Sequence, residues 1–183
     1  MKLIVLDRDG VINFDSDQFI KNPEEWRPIP GSLEAIARLN QADYRVVVAT
    51  NQSGIGRGLF DMTSFNAFNT RMHKALAEVG ARVDAVFFCP HAPEETCDCR
   101  EPAPGLFLEI CRRFGALPEQ VMAAGDSVRD AQAAAAAGCQ PHLILSGKSS
   151  AYRDGGLPEG LPPATQVHRD LQAFADWVLA HES

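Results

Sequence analysis

The sequence predicts an α/β fold, a doubly wound parallel sheet with helices on both faces. Three observations lead to it. Short apolar runs alternate along the chain with stretches of helical period. The runs are nearly continuously apolar, as suits strands buried on both faces of a parallel sheet. Nothing resembling an internal repeat or an inter-domain linker interrupts them, so residues 1–183 are expected to form a single domain.

The first strand is read at Lys2–Leu6, where four apolar residues precede a carboxylate. The first helix follows at Ser32–Gln41, with Leu33, Ile36, Ala37 and Leu39 on one face. Arg45–Ala49 is the second strand. Thr63–Val79 places Phe65, Phe68, Met72, Leu76 and Val79 at three- and four-residue spacing, a long amphipathic helix. Ala85–Cys89 is the third strand, Gly105–Phe114 a helix, Val121–Ala124 the fourth strand and Arg129–Ala137 an alanine-rich, closely packed helix. Leu143–Leu145 reads as the fifth strand, and Asp170–Leu179 closes the chain as a helix. Three long connections remain: Asn13–Pro30, Pro90–Pro104, and Gly147–Thr165, which its Gly and Pro content marks as a flexible surface segment.

Composition narrows the function. Hydrophobic residues at 45% and charged residues at 22% exclude a disordered tail, a collagen-like repeat and a coiled coil. Lys+Arg number 17 against 24 Asp+Glu, a net charge of −7, which makes a poor general binder of nucleic acid or anionic membrane. An anionic substrate must then be met by a metal ion or by a few focused basic residues. No apolar run approaches the ~20 residues needed to span a bilayer, and the N-terminal apolar stretch is too short for a secretory signal. The expected location is the cytoplasm, where the five cysteines stay reduced.

In doubly wound sheets ligands bind beyond the carboxyl ends of the strands. The first strand ends in Asp7-Arg8-Asp9-Gly10-Val11-Ile12-Asn13. Two carboxylates so close repel unless a cation or proton sits between them. Mg²⁺ would relieve that repulsion and share its shell with a phosphate. Asp7 then suits a nucleophile attacking phosphorus, and Asp9 a general acid and base. A solvated acidic turn is the plainer reading of the motif alone. The second strand runs into Thr50-Asn51-Gln52-Ser53-Gly54, with Arg57 beyond, suited to phosphate oxygens or to an ordinary glycine-rich turn. The fourth ends in Gly125-Asp126-Ser127-Val128-Arg129-Asp130. Either acid there completes a metal site or caps the next helix, and capping weighs more for Asp130.

The cysteines cluster. Cys89, His91, Cys97 and Cys99 form C-x-H-x₅-C-x-C, a full tetrahedral set for Zn²⁺ with no position open to water. Such a site staples a loop that has little apolar content. Buried free thiols explain Cys111 and Cys139 well and this cluster poorly.

Asp-x-Asp, Thr-Asn and Gly-Asp at three successive strand ends resemble the haloacid dehalogenase superfamily of phosphotransferases, over most of the chain. The resemblance implies a Rossmann-like fold with a minimal cap. It implies Asp7 as nucleophile, Asp9 as general acid/base, Thr50 at the transferring phosphoryl group, and Mg²⁺ on Asp7, the Asp9 carbonyl and Asp126. With the cysteine loop, the chain is similar to the zinc-looped phosphatases of that superfamily, which implies a small sugar-phosphate substrate, with histidinol phosphate or another small phosphomonoester as the alternative. Asn51, Arg57 and Arg100 would then hold the substrate beyond the reacting phosphate, and a monomer is expected.

One position departs from the pattern. Arg100 is usually followed there by a Lys that holds the nucleophile and phosphate charges together; here Glu101 follows. An anion at that place repels its neighbours by roughly 4 kcal/mol per pair at contact and intermediate dielectric. Three outcomes are open. Glu101 turns outward and Arg100 covers the role; another cation moves in, with Lys148 on the same sheet rim as the best placed; or the chain is a weakly active or silent zinc-stapled binding domain.

Overall fold

The computed structural model describes residues 2–15, 24, 26–56, 58, 61–91 and 97–182. Six parallel strands form one sheet in the order β3-β2-β1-β4-β5-β6. They are β1 (Leu3–Leu6), β2 (Arg45–Asn51), β3 (Ala85–Cys89), β4 (Val121–Gly125), β5 (Gln140–Ile144) and β6 (Gln166–His168). The helices are α1 (Ser32–Gln41), the short α2 (Ser53–Gly56), α3 (Met62–Glu78), α4 (Gly105–Phe114), α5 (Val128–Ala136) and α6 (Leu171–Ala180).

The pleat sorts each strand between two cores. Ile4, Leu6, Val46 and Val48 face α1, α3 and α6, joining Ile36, Met72, Leu76 and Phe174. Leu3, Val5, Val47, Ala49, Val121 and Ala123 face α4 and α5, joining Phe107, Ile110, Ala133 and Ala134. Cys111 and Cys139 lie in this second core with their sulfurs 3.9 Å apart, as packing residues.

The differences from the sequence reading have local causes. β2 extends through Thr50 and Asn51, which pair with Phe88 and Cys89. β5 starts at Gln140, and β6 is a strand the apolar pattern does not show. Both carry a histidine, and these pack as a buried pair, His142 Nδ1 and His168 Nε2 lying 2.9 Å apart against Phe174 and Trp177. Burial holds both imidazoles neutral, pushing His142 down to about 3 and His168 to about 4. An imidazole used as an apolar ring is invisible to a hydropathy reading. The first half of the segment expected to be flexible is a 3₁₀ turn, Gly147–Asp154. No helix among the described residues is long and apolar enough to cross a membrane.

The topology fixes where a ligand goes. β1 lies between β2 and β4, and the chain winds outward from it in both directions. The crevice at that switch point opens beyond the carboxyl ends of β1 and β4.

Candidate active site

Asp7 leaves β1 with its amide donating to the Ala124 carbonyl at 3.0 Å, so the register of β1 and β4 sets its position. Asp126 leaves β4 directly opposite. Carboxylate oxygens of Asp7, Asp126 and Asp130 lie within 4.8 Å of one another. Asp130 also closes a capping box at the start of α5: Ser127 N–H donates to Asp130 Oδ2 at 3.1 Å, and Asp130 N–H to Ser127 Oγ at 3.3 Å. Asp126 does not cap. Its Oδ2 accepts the Lys148 amide at 2.9 Å.

Glu101 joins this cluster, and the outward orientation is thereby corrected. The residue is 3% exposed, and its carboxyl hydrogen-bonds Asp130. It shares with Asp7 and Asp130 the lining of a narrow space walled by Ala49, Phe107 and Ala123. The backbone draws it inward. Glu101 N–H donates to Asn51 Oδ1 at 3.4 Å, and the Arg129 guanidinium donates to the Glu101 carbonyl. Arg129, which the sequence reading treats only as the start of a helix, is therefore a cation beside the Glu101 position.

Crowding with little compensation pushes three of these acids toward their protonated forms. Burial, then the charge of Asp130, lifts Asp7 well above the carboxylate range. Burial and Asp130 do the same to Glu101, against a partial offset from Arg129. Burial and Asp130 push Asp126 up to about 7, despite the Lys148 amide and charge. None of the ion pairs among the described residues involves these four side chains. The donor set is all oxygen, anionic and crowded, which fits Mg²⁺.

Asp9 is different. Its carboxylate turns away from the cluster and accepts from Arg8 Nε at 3.0 Å, Asn13 Nδ2 at 3.0 Å and Gln52 Nε2 at 2.9 Å. Burial raises its pKa, but Arg8, Asn13 and Gln52 together outweigh burial and hold it below the usual value. Arg8 is fully buried over the rings of Phe65 and Phe68. Gln52 Nε2 also donates to Thr50 Oγ1 at 2.9 Å, tying the end of β2 to Asp9. Arg8, Asn13 and Gln52 are site residues the sequence reading quotes but gives no role; their signal is a donor in each motif beside a chemistry-bearing residue.

Thr50 is 1% exposed and Asn51 half-buried at the end of β2. Arg100 is half-buried between the cysteine loop and Glu101. Lys148 lines a cleft of ≈ 660 Å³ next to Gly10, with Phe14, Ile29 and Arg153 on its walls. Arg57 lies outside the described residues.

The cysteine loop flanks the same mouth. One ligand atom each of Cys89, His91, Cys97 and Cys99 lies within 4.8 Å of the others. His91 Nδ1 is 3.4 Å from both Cys89 Sγ and Cys99 Sγ, and Cys97 Sγ is 3.7 Å from Cys89 Sγ. The Cys89 and Cys99 sulfurs approach to disulfide distance. The loop is pinned on two sides. The Cys89 carbonyl accepts from Gln52 N–H at 2.8 Å, and Gly105 N–H at the start of α4 donates to the Asp98 carbonyl at 2.9 Å. Gly105 must lack a side chain, because a Cβ there would collide with the Asp98 backbone.

Comparisons with known proteins give the family. Residues 7–138 match the model of the haloacid dehalogenase-like hydrolases. The chain is 55% identical over 180 residues to the D-glycero-beta-D-manno-heptose-1,7-bisphosphate 7-phosphatase of Bordetella bronchiseptica, covering 98% of each chain. It is 46% identical to the enzyme of that name from Pseudomonas aeruginosa, covering 97% of each. Its structure superposes with a TM-score of 0.94 on the crystal structure of D,D-heptose 1,7-bisphosphate phosphatase from B. bronchiseptica complexed with magnesium and phosphate, at 53% identity and full coverage of both chains. The D,D-heptose 1,7-bisphosphate phosphatase of Burkholderia thailandensis gives a TM-score of 0.76 at 52% identity, covering 98% of this chain and 99% of that one.

Proposed function

The chain belongs to the haloacid dehalogenase-like hydrolases, and from that premise we propose that it is a Mg²⁺-dependent phosphatase removing the 7-phosphate of D-glycero-β-D-manno-heptose 1,7-bisphosphate. It would act in the cytoplasm, as a monomer, on the route to the ADP-heptose precursor of lipopolysaccharide. One observation carries the reading. The oxygen cluster of Asp7, Asp126 and Asp130 sits at the sheet's switch point, in a chain matching relatives of that name along nearly their whole length. The β-anomer follows from the relatives' names.

Asp7, the Asp9 carbonyl and Asp126 would hold the Mg²⁺. When bound, the ion neutralises the carboxylates and the phosphate oxygens and lets the anions share one mouth. Asp7 attacks phosphorus, giving an aspartyl phosphate and freeing the sugar oxygen. Thr50, held by Gln52, orients the phosphoryl group from the neighbouring strand end. Asp9 protonates the departing oxygen and later takes the proton of the hydrolytic water. In the free chain Asp9 is ionised by its three donors. An arriving phosphate dianion works against them and lifts Asp9 toward the protonated form that the first step needs. Asn51, Arg57, Arg100 and Lys148 would bind the substrate beyond the reacting group, with arginine forks suited to a second phosphate.

Glu101 does not favour a cationic leaving group such as histidinol. It lies in the space behind Asp7, with Asp130, rather than in the cleft lined by Lys148. We assign the charge-balancing role to Arg129 beside Glu101, to Lys148 beside Asp126 and to Arg100. The test is phosphate release from the β-bisphosphate, followed by phosphorus NMR. Loss of the 7-phosphate with the 1-phosphate retained, faster than on the α-anomer or on histidinol phosphate, is expected. Equal or reversed preference defeats the heptose assignment.

Cys89, His91, Cys97 and Cys99 we read as a structural Zn²⁺ site that holds the loop beside Asn51 and Glu101. About one zinc per chain in protein purified without chelator is expected. A Cys89–Cys99 disulfide with no zinc refutes it.

A further inference from the structure

The turn after β5 packs on Asp126 and on the loop after β1, and the proposed chemistry gives a task there to the Lys148 side chain alone. Lys148 N–H donates to Asp126 Oδ2 at 2.9 Å. Ser149 Oγ donates to the Asp126 carbonyl at 2.6 Å. Ser146 Oγ donates to the Gly10 carbonyl at 2.7 Å. Gly147 packs its bare Cα against both partners: a Cβ there would collide with Asp126 Oδ2 and come within 2.8 Å of the Gly10 Cα. Gly10 does the same from the other side, since a Cβ on it would also strike Asp126 Oδ2. Both glycines have positive φ, 89° at Gly10 and 49° at Gly147.

We propose that Ser146–Ser149 is a positioning clamp for Asp126, closing the loops after β1, β4 and β5 into one bracket around a metal-binding carboxylate. The inference rests on the reading of Asp126 as a Mg²⁺ ligand and adds the residues that aim it. A free aspartate rotates about two side-chain bonds. This one is held between two glycines, one oxygen is fixed by a backbone amide, and its own carbonyl is tied by a buried hydroxyl. Ser146 and Ser149 are 6% and 3% exposed, so water does not compete for those bonds. The turn is braced in its own right: Ser149 N–H donates to the Ser146 carbonyl at 3.0 Å, and Arg153 Nε to the Leu145 carbonyl at 2.6 Å. Groups that orient a metal ligand typically govern metal affinity by about 10- to 100-fold. Ser149 is buried behind the turn and does not line the cleft with Lys148, so its effect should appear in the Mg²⁺ requirement rather than in the chemical step.

The experiment measures Mg²⁺ binding to the full chain by calorimetry, with inorganic Mg²⁺ as the only titrant, alongside the Mg²⁺ dependence of phosphate release. Ser149→Ala should weaken Mg²⁺ about tenfold and Gly147→Ala about 100-fold. In Ser149→Ala, kcat should return close to the wild-type value once Mg²⁺ saturates. Ser150→Ala, on the exposed side of the same turn, should bind as wild type. Unchanged Mg²⁺ affinity in folded Ser149→Ala overturns the clamp. That variant loses a single hydroxyl and decides the matter even where Gly147→Ala does not fold. Wild-type protein that binds no Mg²⁺ removes the metal reading itself, a result distinct from a clamp that fails while the metal binds.

Discussion

Two carboxylate neighbourhoods sit on adjacent loops of one mouth and solve burial in opposite ways. Around Asp9 the chain supplies its own compensation: a fully buried arginine and two amides keep the group ionised. Around Asp7 it withholds compensation. Asp7, Asp126, Asp130 and Glu101 face one another, and three of them are pushed toward their protonated forms. In the proposed mechanism the difference separates a side chain that would move protons from a set that would receive a cation. At Asp9 a permanent positive charge, that of Arg8, sets the proton affinity.

The comparison breaks most sharply at Asp7. Asp7→Asn keeps the shape, removes the attacking charge and should lower turnover by about 10⁴-fold or more, with zinc content and fold retained. Activity near that of the wild type would end the distinction between the two neighbourhoods. Glu101 comes next. Replacing it by Gln removes one like charge from the cluster and should raise turnover about tenfold, with Lys at least as effective. Steady-state kinetics at saturating Mg²⁺ reads this, and a loss of activity in both variants would make Glu101 a working part of the site instead of a burden on it. Gln52→Ala has the smallest effect. It takes one donor from ionised Asp9, so the limb of the pH–rate profile that reports Asp9 should move up by about half a unit, with turnover down only a few-fold.

Much of this was legible in the sequence. β1 to β4 declared themselves as unbroken apolar runs, and Asp7, Thr50 and Asp126 stood where those runs stop, which is where a parallel sheet collects its chemistry. Asp130 divides its carboxylate between a helix cap and the cluster, a double use that spacing alone does not separate. The direction of Glu101 was not legible, because its own N–H donates to Asn51 and its carbonyl accepts from Arg129, both distant in sequence, and these bonds decide it. Arg8 was visible but not its burial, which depends on two rings of α3. The clamp was hidden by its composition. Lys148 stood out as a cation on the sheet rim, but Gly147 and Ser149 read as part of a flexible surface segment until the close approach to Asp126 is seen.

The two neighbourhoods also respond to pH in opposite senses. Asp9 has a depressed pKa, so its contribution to stability is present above the unfolded value and lost as pH falls through the folded one. Asp126 is raised to about 7, so its contribution is present at low pH and lost as pH rises toward and through that value. Thermal unfolding between pH 5 and 8, with and without Mg²⁺, therefore tests the central claim most directly. The buried histidines add stability as pH rises to about 6.5 with or without metal, so the difference made by Mg²⁺ isolates the acidic cluster, and that stabilisation should grow from pH 5 to pH 8. A melting temperature that Mg²⁺ leaves unchanged at pH 8 would contradict an acidic cluster built to receive the ion.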